Sequence, residues 1–166
     1  MSPRNPVVVC GIDDSPGARA ALGEALRVAA RRGARVRALL VYEPPEVWSV
    51  WSTGVEPAVP APGPQVFHES AVRAAREIVA PVVDGLRAEL APMPEIEVDA
   101  VPGRPVDVLV DEAGHAEALV VGHRGRGAVA SALLGSTSLG CVLHAPCPVT
   151  VVPVTAPIPS ASGTAR

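Results

Sequence analysis

The chain has 166 residues, of which 48% are hydrophobic and only 2% aromatic. This length suits one domain, whose core must be built from Ala, Val and Leu. The net charge of −3 gives no general attraction to nucleic acid or to an anionic membrane, so neither is expected as a partner. All 14 basic residues are arginines. The absence of lysine excludes a P-loop, whose lysine contacts the phosphates, and it also excludes Schiff-base chemistry.

The N-terminal segment does not have the pattern of a signal peptide, because its apolar stretch ends at Ile12 and two aspartates follow. No segment approaches the roughly 20 apolar residues that a membrane span requires. A cytoplasmic protein is therefore expected. The three cysteines (Cys10, Cys141 and Cys147) are odd in number and lack CxxC spacing, so they are expected to be small buried hydrophobic residues.

The first part of the chain alternates between strand and helix patterns. Residues 7–12 form a continuous apolar run, typical of a strand buried on both faces. Ser15 is placed to cap a helix, and Pro16 suits the first helical position. Apolar residues then recur at helical spacing until Gly33, which predicts the helix end. A second strand is expected over 35–42.

A proline-rich segment over 43–65 interrupts this alternation. It holds six prolines and both tryptophans, which predicts a long loop. Helical spacing resumes over about 67–91. Pro81 and Gly85 lie inside that pattern, so a kink or a break is expected near residue 80.

The second part of the chain repeats the strand–helix alternation. The two terminal segments, 1–6 and 154–166, are expected to be disordered, which leaves 7–153 as a single domain. Alternating strands and helices imply a parallel sheet covered on both faces, with ligands bound at the carboxyl ends of strands where the strand order reverses. The remaining elements are expected as a strand over 95–101, a helix over 104–113, a strand over 117–122, a helix over 136–144 and a strand over 148–153.

A glycine-rich loop follows the fourth predicted strand and is the most informative feature of the chain. Glycine lets the main chain approach a ligand closely, and the start of the next helix supplies N–H donors and a favourable dipole for phosphate. A dinucleotide fingerprint would instead follow the first strand, where this chain has Gly11-Ile12-Asp13-Asp14-Ser15. The loop comprises Gly122, Gly125 and Gly127, and it leads to Gly135, Ser136 and Thr137.

Simpler interpretations of these residues stay open. The glycines at 122, 125 and 135 also suit tight turns alone. Asp13 also suits a role in capping the first helix together with Asp14 and Ser15. Arg124 and Arg126 are placed to pair with phosphate, but they also suit solvated loop positions. His123 lies in the loop and can contact phosphate.

Two residues separate Gly122 from Gly125, and nine residues separate Gly125 from Gly135-Ser136. This spacing resembles the ATP-binding signature of the universal stress protein A family, G-x2-G-x9-G-[S/T]. Four further segments resemble strand regions of that family: VVVCGIDDS resembles the first, RALLVYEPP the second, VPGRPVDVLVDEA the third and PCPVTVVP the last. The resemblance implies a three-layer Rossmann-like α/β fold of the adenine nucleotide alpha hydrolase type. Its parallel sheet has five strands in the order 3-2-1-4-5.

The same resemblance implies an ATP site with Mg²⁺ or Mn²⁺ bridging the phosphates. It places Asp13, beside Ile12, near the adenine and ribose, and it places the Val41 backbone against the adenine. It assigns the ribose and phosphates to the remaining site residues, which are Gly122, His123, Arg124, Gly125, Arg126, Gly127, Gly135, Ser136 and Thr137. Many members of the family dimerise through the last strand, here 148–153.

The sequence shows no nucleophile with a base and an orienting group, so a catalytic residue is not assigned. The expected function is an ATP-binding stress-response regulator that acts through nucleotide- and dimer-dependent partner contacts, with at most slow hydrolysis. One alternative is a slow ATPase or nucleotidyl-transfer enzyme, although GIDDSPG lacks the Ser-Gly-Gly-type first loop of adenylating relatives. The other alternative is a nucleotide-free interaction scaffold.

Overall fold

A computed structural model describes residues 6–43, 63–123 and 134–154 of the chain. Most of the proline-rich segment and most of both predicted disordered termini lie outside these residues. The elements of the described part follow one another as β1 (Val7–Ile12), α1 (Pro16–Arg32), β2 (Arg35–Tyr42), α2 (Pro64–Leu86), β3 (Ile96–Pro102), α3 (Pro105–Ala113), β4 (Ala118–Gly122), α4 (Ser136–His144) and β5 (Val149–Val152).

The five strands form one sheet in the order β3-β2-β1-β4-β5, and every pair of neighbours is parallel. The predicted Rossmann-like order is therefore confirmed. Strands at the centre of such a sheet are buried on both faces, which explains the continuous apolar run in β1. Val8, Val9 and Cys10 are at most 1% exposed.

Two apolar layers, one on each face of the sheet, hold the helices in place. On one face, α1 and α2 pack through small and branched residues such as Leu22, Leu26 and Ile78. On the other face, α3 and α4 pack through Leu109 and Cys141. The buried hydrophobic residues of the described part are Ala, Val, Leu, Ile and Cys, as the low aromatic content predicts.

Helix α1 begins and ends where the sequence predicts. The Ser15 side chain accepts a hydrogen bond from the backbone N–H of Ala18 at 3.1 Å, and Pro16 occupies the first helical position. Gly33 ends the helix with φ at 61°, a left-handed conformation that glycine adopts without a steric penalty.

Of the kink or break expected near residue 80, helix α2 shows no break. It runs without interruption from Pro64 to Leu86, with Pro81 inside it. A proline within a helix removes one backbone hydrogen bond, and here the apolar contacts of Ile78, Val79 and Leu86 with the core hold the helix on both sides of Pro81. The helix also begins three residues before the expected start and ends five residues before the expected end.

A cluster of charged side chains lies across β2, β3 and α3. Arg37 of β2 contacts Glu112 at 3.1 Å, Asp99 at 3.4 Å and Glu97 at 3.6 Å, while Arg35 contacts Glu97 at 2.7 Å. The Nε atom of Arg37 is buried and makes no hydrogen bond within the described residues. These ion pairs join two neighbouring strands to a helix that lies on one face of the sheet.

None of the helices in the described part is long and apolar enough to cross a membrane.

Candidate functional site

The strand order reverses between β1 and β4, which are neighbours in the sheet although two other strands separate them in the chain. Cys10 pairs with Val120, so the strand ends two residues further on, Ile12 and Gly122, lie side by side. In sheets of this kind, ligands bind outside the carboxyl ends of the strands at such a reversal. The fold therefore brings the loop after β1 and the loop after β4 together.

Asp13 follows β1 and takes part in the turn that leads into α1. Its Oδ1 atom accepts hydrogen bonds from the backbone N–H of Ser15, at 3.0 Å, and from the Ser15 hydroxyl. Ser15 in turn caps α1. The interpretation of Asp13 as part of the helix cap is thus supported by the geometry, and the two hydrogen bonds orient a carboxylate at the end of β1.

Val41 lies in the part of β2 that continues past the end of β1. Ile12 is opposite Leu40, and β2 runs two residues further. Odd-numbered residues of β2 direct their backbone groups toward β1, as shown by Arg35, whose N–H donates to the Pro6 carbonyl at 3.0 Å. The backbone of Val41 therefore faces the space beyond the end of β1, beside Asp13.

On the other side of the reversal, β4 ends against the start of α1. A Cβ atom on Gly122 would lie 2.6 Å from the carbonyl carbon of Gly17 and 2.9 Å from the backbone nitrogen of Ala18. Only glycine permits this approach of two main chains. The first glycine of the motif is thus required by packing, whatever the loop binds.

Two backbone hydrogen bonds define the base of the glycine loop. The N–H of His123 donates to the Val152 carbonyl at 2.8 Å, and the N–H of Gly135 donates to the His123 carbonyl at 2.9 Å. The chain therefore leaves β4 and returns to α4 at the same place. The predicted site residues between these points, Arg124, Gly125, Arg126 and Gly127, lie outside the described residues.

The start of α4 presents backbone donors beside this loop base. Gly135 is the N-cap with extended backbone (φ −67°, ψ 151°), and no side-chain cap is found among the described residues. The first N–H of the helix to find an intrahelical acceptor is that of Leu139, which donates to the Gly135 carbonyl at 2.9 Å. The N–H groups of Ser136 and Thr137 precede it and belong to the helix end that favours negative charge.

Ser138 is a residue of this region that the sequence interpretation missed. It is 4% exposed, and its hydroxyl donates to the Gly122 carbonyl at 2.5 Å. A signal was present in the sequence, because Cys141 is an apolar residue one helical turn later, which puts Ser138 on the buried face of α4. A buried hydroxyl requires a hydrogen-bond partner.

Two thiols near the strand ends are poor candidates for a nucleophile. Burial raises the pKa of the Cys10 thiol to about 12 and that of the Cys141 thiol to about 11. The thiolate is the reactive form, so burial disfavours reaction of both groups at neutral pH. Within the described residues, no group of three or more His, Cys, Asp or Glu side chains is arranged to hold a metal ion.

The sheet order and the flanking helices define an α/β domain of the Rossmann-like class, with a candidate site at the strand reversal. The family model described as the universal stress protein family matches residues 5–153, and the chain belongs to that family.

Individual relatives agree with this assignment. The universal stress protein Rv2623 of Mycobacterium tuberculosis (strain ATCC 25618 / H37Rv) is 34% identical over 146 residues, which are 87% of this chain and 46% of that protein. This chain thus spans about half the length of the curated relatives it matches.

Two solved structures are similar over most of the chain. One is a universal stress protein in complex with cAMP, with 27% identity, a TM-score of 0.62, and coverage of 89% of this chain and 96% of that chain. The other is the universal stress protein UspA from Lactobacillus plantarum, with 25% identity, a TM-score of 0.58, and coverage of 90% and 98%.

Proposed function

We propose that this protein binds an adenine nucleotide, with ATP as the preferred form, at the carboxyl ends of β1, β2 and β4, and that it acts as a stress-response regulator. The observation that carries the proposal is the start of α4. Gly135 leaves the helix without a side-chain cap among the described residues, and the helix start adjoins the strand reversal. Backbone donors at a helix N-terminus beside a glycine loop suit phosphate.

The adenine and ribose belong, in this proposal, at the end formed by Ile12, Asp13 and Val41. The backbone of Val41 faces the space beyond the end of β1, where it is placed to meet the edge of a base. The Asp13 carboxylate suits the hydroxyls of ribose or the amine of adenine. A carboxylate would repel a triphosphate, so the phosphates extend away from Asp13 toward α4.

The phosphates belong at the end formed by Gly122, His123, Gly135, Ser136 and Thr137. The N–H groups and hydroxyls at the start of α4 are donors for phosphate oxygens. The loop residues Arg124, Gly125, Arg126 and Gly127 complete this end in the proposal. The donor set fits phosphate rather than a bare cation, so we assign Mg²⁺ or Mn²⁺ to the phosphate oxygens of the bound nucleotide.

A related structure supports the nucleotide class. The universal stress protein that was solved in complex with cAMP is 27% identical to this chain, and the match covers 89% of this chain. An adenine nucleotide bound by a protein of this family and fold supports the same class of ligand here. The preference for ATP rests on the complete motif from Gly122 to Ser136.

We also propose a homodimer through β5. This strand is hydrogen-bonded to β4 on one side, and it forms the edge of the sheet in the described residues. Three exposed apolar side chains follow one face of the neighbouring helix α4: Leu139, Val142 and Leu143, at 47%, 48% and 65% exposure. An unpaired edge strand beside an apolar helix face favours association with a second copy. A cytoplasmic location and action through partner contacts complete the proposal.

The proposal is tested by titrating the purified protein with ATP and Mg²⁺ in a calorimeter, with NAD and FMN as comparison ligands. We expect ATP to bind more tightly than either. Gly135→Val adds a branched side chain at the N-cap of α4, and we expect it to abolish ATP binding while the unfolding temperature stays close to that of the parent protein.

Gly63→Val is the matched control for this variant. Gly63 is the N-cap of α2 in almost the same backbone conformation (φ −66°, ψ 161°), and a Cβ atom there meets no other atom within 4 Å. We expect this variant to bind ATP like the parent protein. Absence of ATP binding by the parent protein would contradict the proposed function, and normal binding by Gly135→Val would contradict the assignment of the phosphate end.

A further inference from the structure

We infer that Ser138 is a positioning residue for phosphate, an inference that rests on the proposed function. Its side chain does not belong to the donors at the helix start, because its hydroxyl already donates to the Gly122 carbonyl at 2.5 Å. It ties the first turn of α4 to the last residue of β4. This side-chain hydrogen bond joins the two ends of the glycine motif, in addition to the backbone hydrogen bond from Gly135 to the His123 carbonyl.

The strand end that Ser138 holds is closely packed. Gly122 packs directly on the main chain of α1, where a Cβ atom would lie 2.6 Å from the carbonyl carbon of Gly17. Ser138 is only 4% exposed, and Cys141, one turn later, is fully buried. The hydrogen bond therefore connects α4 to a buried, closely packed end of the sheet.

A second contact holds α4 on the side of the helix that faces α3. A Cβ atom on Gly140 would approach the Val106 side chain to 2.7 Å, so α4 and α3 are in close contact there. That contact holds the body of the helix but not its first turn. The first turn is tied to the end of β4 by the backbone hydrogen bond from Gly135 to the His123 carbonyl and by the side-chain hydrogen bond from Ser138 to the Gly122 carbonyl. Ser138 thereby helps to set the direction of the N–H groups of Ser136 and Thr137.

The Ser138 hydroxyl also donates to a carbonyl oxygen whose partial negative charge would repel a phosphate group. The N–H groups of Leu119 and His123 both point to β5, where they donate to the carbonyls of Pro148 and Val152 at 2.9 Å and 2.8 Å. Backbone groups alternate along a strand, so the Gly122 carbonyl points to the opposite side, toward the strand reversal. Ser138 satisfies this partial negative charge and so reduces its repulsion of a phosphate oxygen.

The test compares two ligands on one variant. In Ser138→Ala, we expect the affinity for ATP with Mg²⁺ to fall about tenfold, the effect of losing one well-placed hydrogen bond. We expect the affinity for adenosine, which has no phosphate, to change less than twofold. A side chain that only stabilises the fold would move both affinities together or neither.

Ser70→Ala is the matched control, because Ser70 is an exposed serine of α2. We expect it to bind both ligands like the parent protein. If Ser138→Ala does not fold, Ser138→Cys takes its place, since it keeps a similar volume but offers only a weak S–H donor, and the same selective loss of ATP affinity is expected. Equal loss for both ligands, or no loss for ATP, overturns the inference. Failure of the parent protein to bind ATP would instead contradict the proposed function on which the inference rests.

Discussion

The backbone of Gly122 lies against the backbone of Gly17, so closely that a Cβ atom on Gly122 would stand 2.6 Å from the Gly17 carbonyl carbon and 2.7 Å from its oxygen. Gly122 ends β4, and Gly17 lies in the first turn of α1. This contact sets the distance between the two loops at the strand reversal. It requires glycine at position 122 on grounds of packing, before any ligand is considered.

Gly122→Ala should therefore destabilise the fold. The new methyl group meets backbone, which cannot rotate away, and overpacking of this kind lowers the free energy of unfolding by about 1–3 kcal/mol. Gly85→Ala is the matched control, because a Cβ atom there meets nothing within 4 Å, and alanine in a helix is favoured by up to about 1 kcal/mol. Urea denaturation of both variants measures the difference. A Gly122→Ala protein as stable as Gly85→Ala would show that the close approach is absent in solution.

The proposed dimer predicts a strong effect of a charge on the exposed face of α4. Leu143 is 65% exposed, and in Leu143→Glu a carboxylate would have to be buried against the second copy. We expect the mass measured by light scattering to fall from two chains to one at micromolar concentration. Val66→Glu, at a position of α2 that is 55% exposed, is the control and should leave the mass unchanged. A parent protein that already has the mass of one chain would rule out the dimer.

The three cysteines should differ in their reaction with alkylating reagents. Burial raises the pKa of Cys10 to about 12 and that of Cys141 to about 11. Burial also raises the pKa of Cys147, but this residue is only partly buried. We expect iodoacetamide at pH 8 to add one label to the folded protein, at Cys147, and three labels in denaturant. Mass spectrometry of peptides locates each label, and rapid labelling of Cys10 in the folded protein would contradict its burial.

The ion pair between Arg27 and Glu89 predicts a pH dependence of stability. Arg27 donates from Nε to Glu89 at 2.6 Å and from a terminal nitrogen at 3.0 Å, and this hydrogen bonding lowers the pKa of Glu89. A carboxyl whose pKa is lowered by folding stabilises the protein above its unfolded pKa of about 4.3, and this contribution disappears as the pH falls through the folded pKa.

We therefore expect Glu89→Gln to be less stable than the parent protein between pH 6 and 8. We expect the difference to shrink as the pH falls below about 4.3 and to vanish once the pH lies below the lowered pKa of Glu89 in the folded protein. The effect is small because both side chains are exposed to solvent. Glu77→Gln is the control, since Glu77 is exposed on α2 and joins no ion pair within the described residues. Thermal unfolding at several pH values measures the differences. A difference that persists at low pH would assign the effect to packing rather than to charge.

Most of the fold was predictable because its signals are local. The apolar run of β1 and the cap and glycine around α1 define those elements without tertiary information, and Ser136–His144 has the predicted bounds of α4. Of the kink or break expected near Pro81, the break does not occur. The sequence shows the lost hydrogen bond of Pro81 but not the core contacts of Ile78 and Val79 that hold the helix together.

The site was predictable only in part, since its geometry depends on contacts between distant segments. The motif identified Gly122 and Gly135 by spacing. It did not show that Gly122 meets Gly17, nor that Ser138 reaches back to the Gly122 carbonyl. The ionic contacts of Arg37 were missed for the same reason, because its three carboxylate partners come from β3 and α3.

The hydrogen bond from Gly135 to the His123 carbonyl gives the loop between them a further property. The two ends of the segment are hydrogen-bonded to each other and to the sheet, so the length of the segment is expected to have little effect on the rest of the fold. Doubling the length of such a segment costs only about 0.6 kcal/mol in closure entropy. The described part of the fold is therefore expected to tolerate insertion or deletion between positions 123 and 135, whereas the proposed nucleotide site, whose motif fixes this spacing, is expected to lose its ligand.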